Sequence, residues 1–118
     1  MQLIGHPLVP YEPLKFVKYE KDICKNCVIN FDENLIGVAQ KKKVEFGLIC
    51  TSISEAIIAN AVGAKIIICE KNIAKNIAKL AQFYLFDSKI ACFIKTDSEL
   101  ENLAELEVDT AIYKQALT

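Results

Sequence analysis

The stretch Phe46–Cys69, FGLICTSISEAIIANAVGAKIIIC, holds one complete strand–helix–strand unit. Phe46-Gly-Leu-Ile-Cys50 and Ile66-Ile-Ile-Cys69 are apolar without alternation, the pattern of strands covered on both faces, as in a parallel sheet. Between them, Ser52-Ile-Ser-Glu55 sets a hydroxyl three residues before a carboxylate, which suits a capping box at a helix start. Gly63 supplies a left-handed stop just before the next strand. The same unit recurs outward in both directions. Val28-Ile-Asn-Phe31 precedes it, and Ile90-Ala-Cys-Phe-Ile94 and Thr110-Ala-Ile-Tyr113 follow, so the chain reads βαβαβαβαβ with mutually parallel strands.

The intervening segments carry their own helix signals. From Ile73 the apolar positions Ile77, Leu80, Ala81 and Tyr84 form one stripe at helical period, with Asn72 as the expected cap. Asp32 is the expected cap of a helix from Glu33 to about Lys42, whose Lys41, Lys42 and Lys43 oppose the negative end of its dipole. Thr96-Asp-Ser-Glu99 repeats the capping-box spacing ahead of a fourth helix. The third helix is expected to run on through Phe83-Tyr-Leu-Phe86. Bulky residues there point around the axis, so at least one of Phe83, Leu85 and Phe86 should lie off the core, and these residues, or a sheet edge, are expected to form a symmetric dimer contact.

Residues 1–26 differ in kind, with Pro7, Pro10 and Pro13 at three-residue spacing. Such a density forbids helix and favours an extended strip lying on the rest of the domain, with Leu14 to Tyr19 as one more strand and Glu20 to Lys25 as a helical turn. No linker or low-complexity segment interrupts residues 1–118, which read as a single α/β domain. The expected sheet has about five or six strands, arranged as a Rossmann-like or flavodoxin-like sandwich or, as the alternative, a partial (β/α) barrel.

Composition excludes several classes of function. With 53% hydrophobic and 25% charged residues, 14 cations against 15 carboxylates, the chain is too apolar and too balanced to be disordered. All the cations are Lys, so the guanidinium fork that reads guanine or clamps phosphate is missing and nucleic acid is not an expected partner. No apolar run approaches the roughly 20 residues of a bilayer span, and Met1-Gln-Leu-Ile has no basic region before it, so a cytoplasmic, membrane-free protein is expected. Five cysteines make an odd number in a chain large enough to build a core, which points to reduced thiols.

Parallel strands open their carboxyl ends on one edge, where ligands bind in such sheets. That edge carries Asp32, Thr51, Ser52, Glu70, Lys71, Lys95 and Thr96 as candidate ligand-binding residues, with Lys114 at the last strand. Lys71 or Lys95 would hold a small anionic metabolite. Cys24-Lys-Asn-Cys27 is a lone C-x-x-C that supplies two of the four ligands of a structural zinc, and no second pair accompanies it, so no metal is expected. Cys50, Cys69 and Cys92 lie in apolar runs and read as small buried hydrophobes. His6, the one histidine, needs a partner carboxylate such as Glu12 before it can act as acid or base. Dinucleotide, P-loop, esterase and zincin motifs are all missing, and no cofactor is implied.

Ser52-Ile-Ser-Glu-Ala-Ile-Ile-Ala-Asn-Ala-Val-Gly-Ala64 resembles the helix that leads into a strand in keto-acid aldolases and related phosphate-binding (β/α) barrels. The resemblance implies a parallel βα architecture, with Ser52 capping, Ala56 and Ala59 packing closely and Gly63 terminating. The Schiff-base lysine of the aldolases falls on Ile68, so their chemistry is not implied. The whole chain is also similar to a family of small bacterial α/β proteins, which brings no function with it. The residues therefore point to a small module that binds a protein partner or a second copy of itself, with regulatory ligand binding at the strand ends. The competing expectation is an enzyme acting on a small phosphorylated or carboxylated metabolite, with Lys71 or Lys95 as anion-binding or Schiff-base residue.

Overall fold

A computed structural model describes residues 1–118 as seven strands and four helices in one unit. The strands are β1 (Gln2–Ile4), β2 (Lys15–Phe16), β3 (Cys27–Asn30), β4 (Phe46–Ile49), β5 (Ile66–Ile68), β6 (Lys89–Ile94) and β7 (Thr110–Tyr113). They form one sheet in the order β1-β7-β6-β5-β4-β3-β2, and every neighbouring pair is parallel. Each continuous apolar run of the sequence is a strand, to within a residue at either end.

The helices are α1 (Glu33–Lys42), α2 (Ile53–Ala61), α3 (Lys71–Phe83) and α4 (Leu100–Glu105). Asp32 Oδ1 accepts the Leu35 N–H at 3.0 Å and caps α1, and Ser52 Oγ accepts the Glu55 N–H at 3.1 Å and caps α2. Gly63, at φ 88°, turns the chain out of α2 as expected. Thr96 and Glu99 close their capping box on a short 3-10 turn that leads into α4. Two expectations fail at α3. The helix begins at Lys71 with Glu70 as N-cap and no side-chain cap, so Asn72 lies inside the first turn. It also stops at Phe83, because Leu85 takes a left-handed φ of 54°. The buried stripe is Ala74, Ile77 and Ala78, and Tyr84 is exposed.

From β3 to β7 every strand lies beside the one before it, with a helix in between. A right-handed crossover repeated in one direction leaves all helices on the same face, whereas a doubly wound sheet reverses direction and covers both. Core residues bear this out. Ala39, Ala56, Ala59, Ala74, Ile77 and Leu103 of the helices pack with Cys27, Ile29, Leu48, Ile67, Ile90 and Tyr113 of the strands in one cluster. The second cluster contains no residue of α1 to α4: Ile4, Leu14, Val28, Ile66, Ile68, Ala91, Ile112 and Ala116. Because it joins side chains from both ends of the strand order, the sheet must curl so that its two ends approach each other. The architecture is thus a half-barrel, the alternative among the expected arrangements, and the Rossmann-like sandwich is set aside by strand order.

Within residues 1–26 the expected strand and helical turn are present, as β2 and a 3-10 turn over Glu20–Asp22, but β1 is not among the expected strands. These residues are not merely a strip laid on the domain, since β1 extends one edge of the sheet beside β7 and β2 extends the other beside β3. The proline-containing segment between them crosses from edge to edge. Residues 116–118 complete the tie, because the Leu14 and Phe16 N–H groups donate to Ala116 and Thr118 carbonyls and the Thr118 N–H donates to Leu14 O. A short strand with exposed edge groups is a site for unwanted pairing, and here that edge is covered by the chain itself.

Candidate functional site

The carboxyl ends of β5, β6 and β7 frame an open cleft of about 360 Å³, lined by Cys69, Glu70, Lys71, Asn72, Cys92, Phe93 and Lys114. Lys71 stands at the start of α3 and its Nζ donates to Glu99 Oε1 at 3.0 Å. Glu99 also accepts the N–H of Lys95 at 2.6 Å and of Thr96 at 3.1 Å. Those contacts, the Lys95 amide first and the Lys71 ammonium second, push the Glu99 carboxyl down to about 2. Glu99 thus ties the α3 start to the turn after β6 and sets one wall of the cleft.

The predicted edge residues divide into two groups. Glu70, Lys71 and Lys114 line the cleft, while Lys95 and Thr96 meet it through Glu99. Asp32, Thr51 and Ser52 lie at the ends of β3 and β4 and are spent on helix starts. Glu55 Oε1 accepts both the N–H and the hydroxyl of Thr51, one residue before the cap, so the box predicted on Ser52 is closed on Thr51 instead. Lys42 donates to Ile23 O at 2.9 Å, which gives one member of the Lys41–Lys43 run a structural partner.

His6 meets a carboxylate, but the partner is Asp97 rather than Glu12. Its Nδ1 accepts the Leu8 N–H at 3.1 Å, which leaves the proton on Nε2, 3.5 Å from Asp97 Oδ2. Asp97 Oδ1 accepts the Tyr113 hydroxyl at 2.5 Å, and the His6 ring stands edge-on to Tyr113 with centroids 5.7 Å apart. The Tyr113 bond, with His6 secondary, holds the Asp97 carboxyl below its ordinary range; burial first, and Asp97 second, push the Tyr113 phenol up to about 12. Both polar ends of the histidine are engaged in holding the proline segment against β7. Glu12 bonds Asn26 Nδ2. Cys24 and Cys27 enclose a tight turn in which the Cys27 N–H donates to Cys24 O, and burial pushes the Cys27 thiol up.

Sequence reading missed what the cleft floor is made of. Cys69 and Cys92 are both core residues and cleft residues, and the Cys69 thiol donates to Ala91 O at 3.8 Å, the carbonyl of the residue before Cys92. Their shared place one step beyond the end of β5 and within β6 is the signal that pairing the strands in register would have exposed.

A second surface lies at the far end of α2 and α3. An apolar groove of about 420 Å³ is lined by Ile57, Asn60, Ala61, Leu80, Tyr84 and Phe86. Beside it, Phe83 is 77% exposed, Tyr84 66% and Leu85 82%, and Phe83 and Tyr84 stack edge-to-face at 4.8 Å. Phe86 turns in and packs on the core. The turn is held rigidly, since Asn60 Oδ1 accepts the N–H of both Asp87 and Ser88 and Ser88 Oγ donates to Ala64 O. No helix is long and apolar enough to cross a membrane. No known family matches the chain, and no curated protein matches it significantly.

Proposed function

We propose that this chain is a self-associating module, a second copy of which covers the apolar groove and the Phe83–Leu85 turn. The observation that carries this reading is the turn itself: three consecutive bulky apolar side chains face solvent on a backbone fixed by Asn60 and Ser88. A leucine in the left-handed region costs about 1–2 kcal/mol, and although the Phe86 N–H donating to Ala81 O closes the helix end there, the Leu85 side chain itself is left exposed. At roughly 200 Å² per aromatic ring, Phe83 and Tyr84 alone present on the order of 300 Å². An isologous dimer doubles such a patch and places it at the desolvated centre that dominates affinity, with Ile57 and Leu80 around it.

Sedimentation equilibrium at tens of micromolar protein tests this. A mass of twice 13.2 kDa that falls to the single-chain value in Phe83→Asp is expected. A single-chain mass for the unaltered protein overturns the reading, as does a dimer untouched by Phe83→Asp. Phe86 is unsuited to the experiment because its ring supports the core.

The cleft supports the second reading, in which a small phosphorylated or carboxylated metabolite binds between Lys71 and Lys114, as regulator or substrate. A thermal-shift series with inorganic phosphate and small dicarboxylates distinguishes it. A ligand at 100 times its dissociation constant stabilises by about 2.7 kcal/mol, and Lys71→Ala should remove that shift.

A further inference from the structure

A cysteine row runs across three central strands. Ile49 pairs with Ile68 and Ile68 with Ala91, so one step further along the ladder Cys69 stands between Cys50 and Cys92. All three face the helix layer. Only Cys69 and Cys92 border the cleft, and the Cys69 thiol donates to the Ala91 carbonyl, one residue before Cys92. Neighbouring strands lie about 4.8 Å apart, which is inside the roughly 4.4–6.8 Å of Cα separation that a disulfide accepts. From this placement we infer that Cys69 and Cys92 form a peroxide-responsive dithiol: a small hydroperoxide entering the cleft converts the pair to a disulfide, and a small external dithiol restores it.

The chemistry divides between the two sulfurs. The neighbouring Cys69 thiol and the Lys71 ammonium favour Cys92 as thiolate, while Cys69, beside Cys92 and buried, is pushed up and keeps its proton, which it donates to Ala91 O. Cys92 Sγ attacks one oxygen of hydrogen peroxide. The S–O bond forms, the O–O bond breaks, and the departing hydroxide takes a proton from solvent to leave as water. Cys69 Sγ then attacks the sulfenic sulfur of Cys92. The S–S bond forms, the S–O bond breaks, and the Cys69 proton leaves with that hydroxide as a second water. Two thiols and one peroxide thus give one disulfide and two waters. Cys50 takes no part, since it lies outside the cleft and burial pushes its thiol up to about 12.

Peroxide treatment of the full chain, quenched with N-ethylmaleimide under denaturing conditions and followed by peptide mass spectrometry, tests the inference. The expected first product is a Cys69–Cys92 cross-linked peptide two hydrogens lighter, formed at least about tenfold faster than any oxidation of Cys50 and reversed by dithiothreitol. Cys69→Ser should stop the reaction at a Cys92 sulfenic acid trapped by dimedone, and Lys71→Met should slow the first step by about tenfold. Cys24→Ser, at the most exposed thiol, should leave the response intact. If Cys69 and Cys92 both remain alkylatable while Cys24 consumes the oxidant, or if another pair cross-links first, the inference fails. The reaction proceeds equally in Phe83→Asp, so its outcome is separate from that of self-association.

Discussion

Gly5 has two constraints that act together. Its φ of 108° is unfavourable to any side chain, and a Cβ there would stand 2.8 Å from that of Ala116 and 2.9 Å from that of Tyr113. Gly5→Ala should therefore cost about 3 kcal/mol through strain and overpacking, read as a lowered midpoint in urea unfolding with unchanged slope. An unchanged midpoint would show that β1 yields at no cost. Glu99 makes a prediction about pH. Its folded-state pKa lies below the unfolded value, so its stabilisation is complete above the ordinary glutamate pKa near 4.5 and is lost as pH falls towards about 2. Glu99→Gln should melt lower than the unaltered chain at pH 7, and the two melting curves should converge between those limits. A gap that stayed constant down to pH 2 would assign the effect to packing. Gly5 does not stand out in the sequence, because its role depends on Ala116 far away in the chain, and Glu99 stands out only as the carboxylate of a capping box, its bond from the distant Lys71 being invisible there.

Among the elements, strands and helix caps were the most legible. Apolar runs at Phe46, Ile66 and Ile90 carry their own evidence, and Asp32 and Ser52 cap through neighbours three residues away. What the local pattern could not show was β1, whose three residues are a strand only because β7 offers them a partner, whereas β2 lies inside the strand expected over Leu14 to Tyr19. The end of α3 misled for a related reason: Phe83-Tyr-Leu-Phe86 continues the helical apolar pattern, yet Asn60 of α2 draws the following turn away. The candidate site was half legible. Parallel strands predict that Glu70, Lys71 and Lys95 share an edge, but only the register reveals Cys69 beside Cys92. Leu85→Gly separates stability from association at that turn. Glycine accepts the left-handed conformation, so the variant should unfold at equal or higher denaturant, by up to about 1 kcal/mol, while its dimer dissociates at lower dilution. A variant that lost stability and kept its dimer would remove Leu85 from the interface. Lys43, left-handed at φ 55° in the C-cap of α1, gives the control: Lys43→Gly should stabilise by a similar amount without changing mass in solution.

At the scale of the whole molecule, the helix-free side of the sheet has only its own curl to bury it. Ile4, Leu14, Val28, Ile66, Ile68, Ala91, Ile112 and Ala116 fill that interior. Leu14→Ala removes buried atoms where the two ends of the sheet approach each other and should cost about 3 kcal/mol, as in other large-to-small core changes. Ala91→Leu, at a position with no accessible surface, should also destabilise, by about 2 kcal/mol, because that space is already filled. Tolerance of both changes at once would mean that the interior is loosely packed. Along β3 to β7 each strand is joined to its spatial neighbour by one helix, so these pairings form between segments close in the chain. The tie between residues 1–18 and residues 109–118 is the opposite, joining segments about a hundred positions apart. Closing so long a loop is slow, and the contacts that require it open at the least cost. Native-state hydrogen exchange should accordingly report two tiers. Amides of Leu14, Phe16 and Thr118 should exchange through a partial opening that leaves Leu48, Ile67 and Cys92 protected, so that the half-barrel can unlatch at this tie many times for each occasion on which it unfolds.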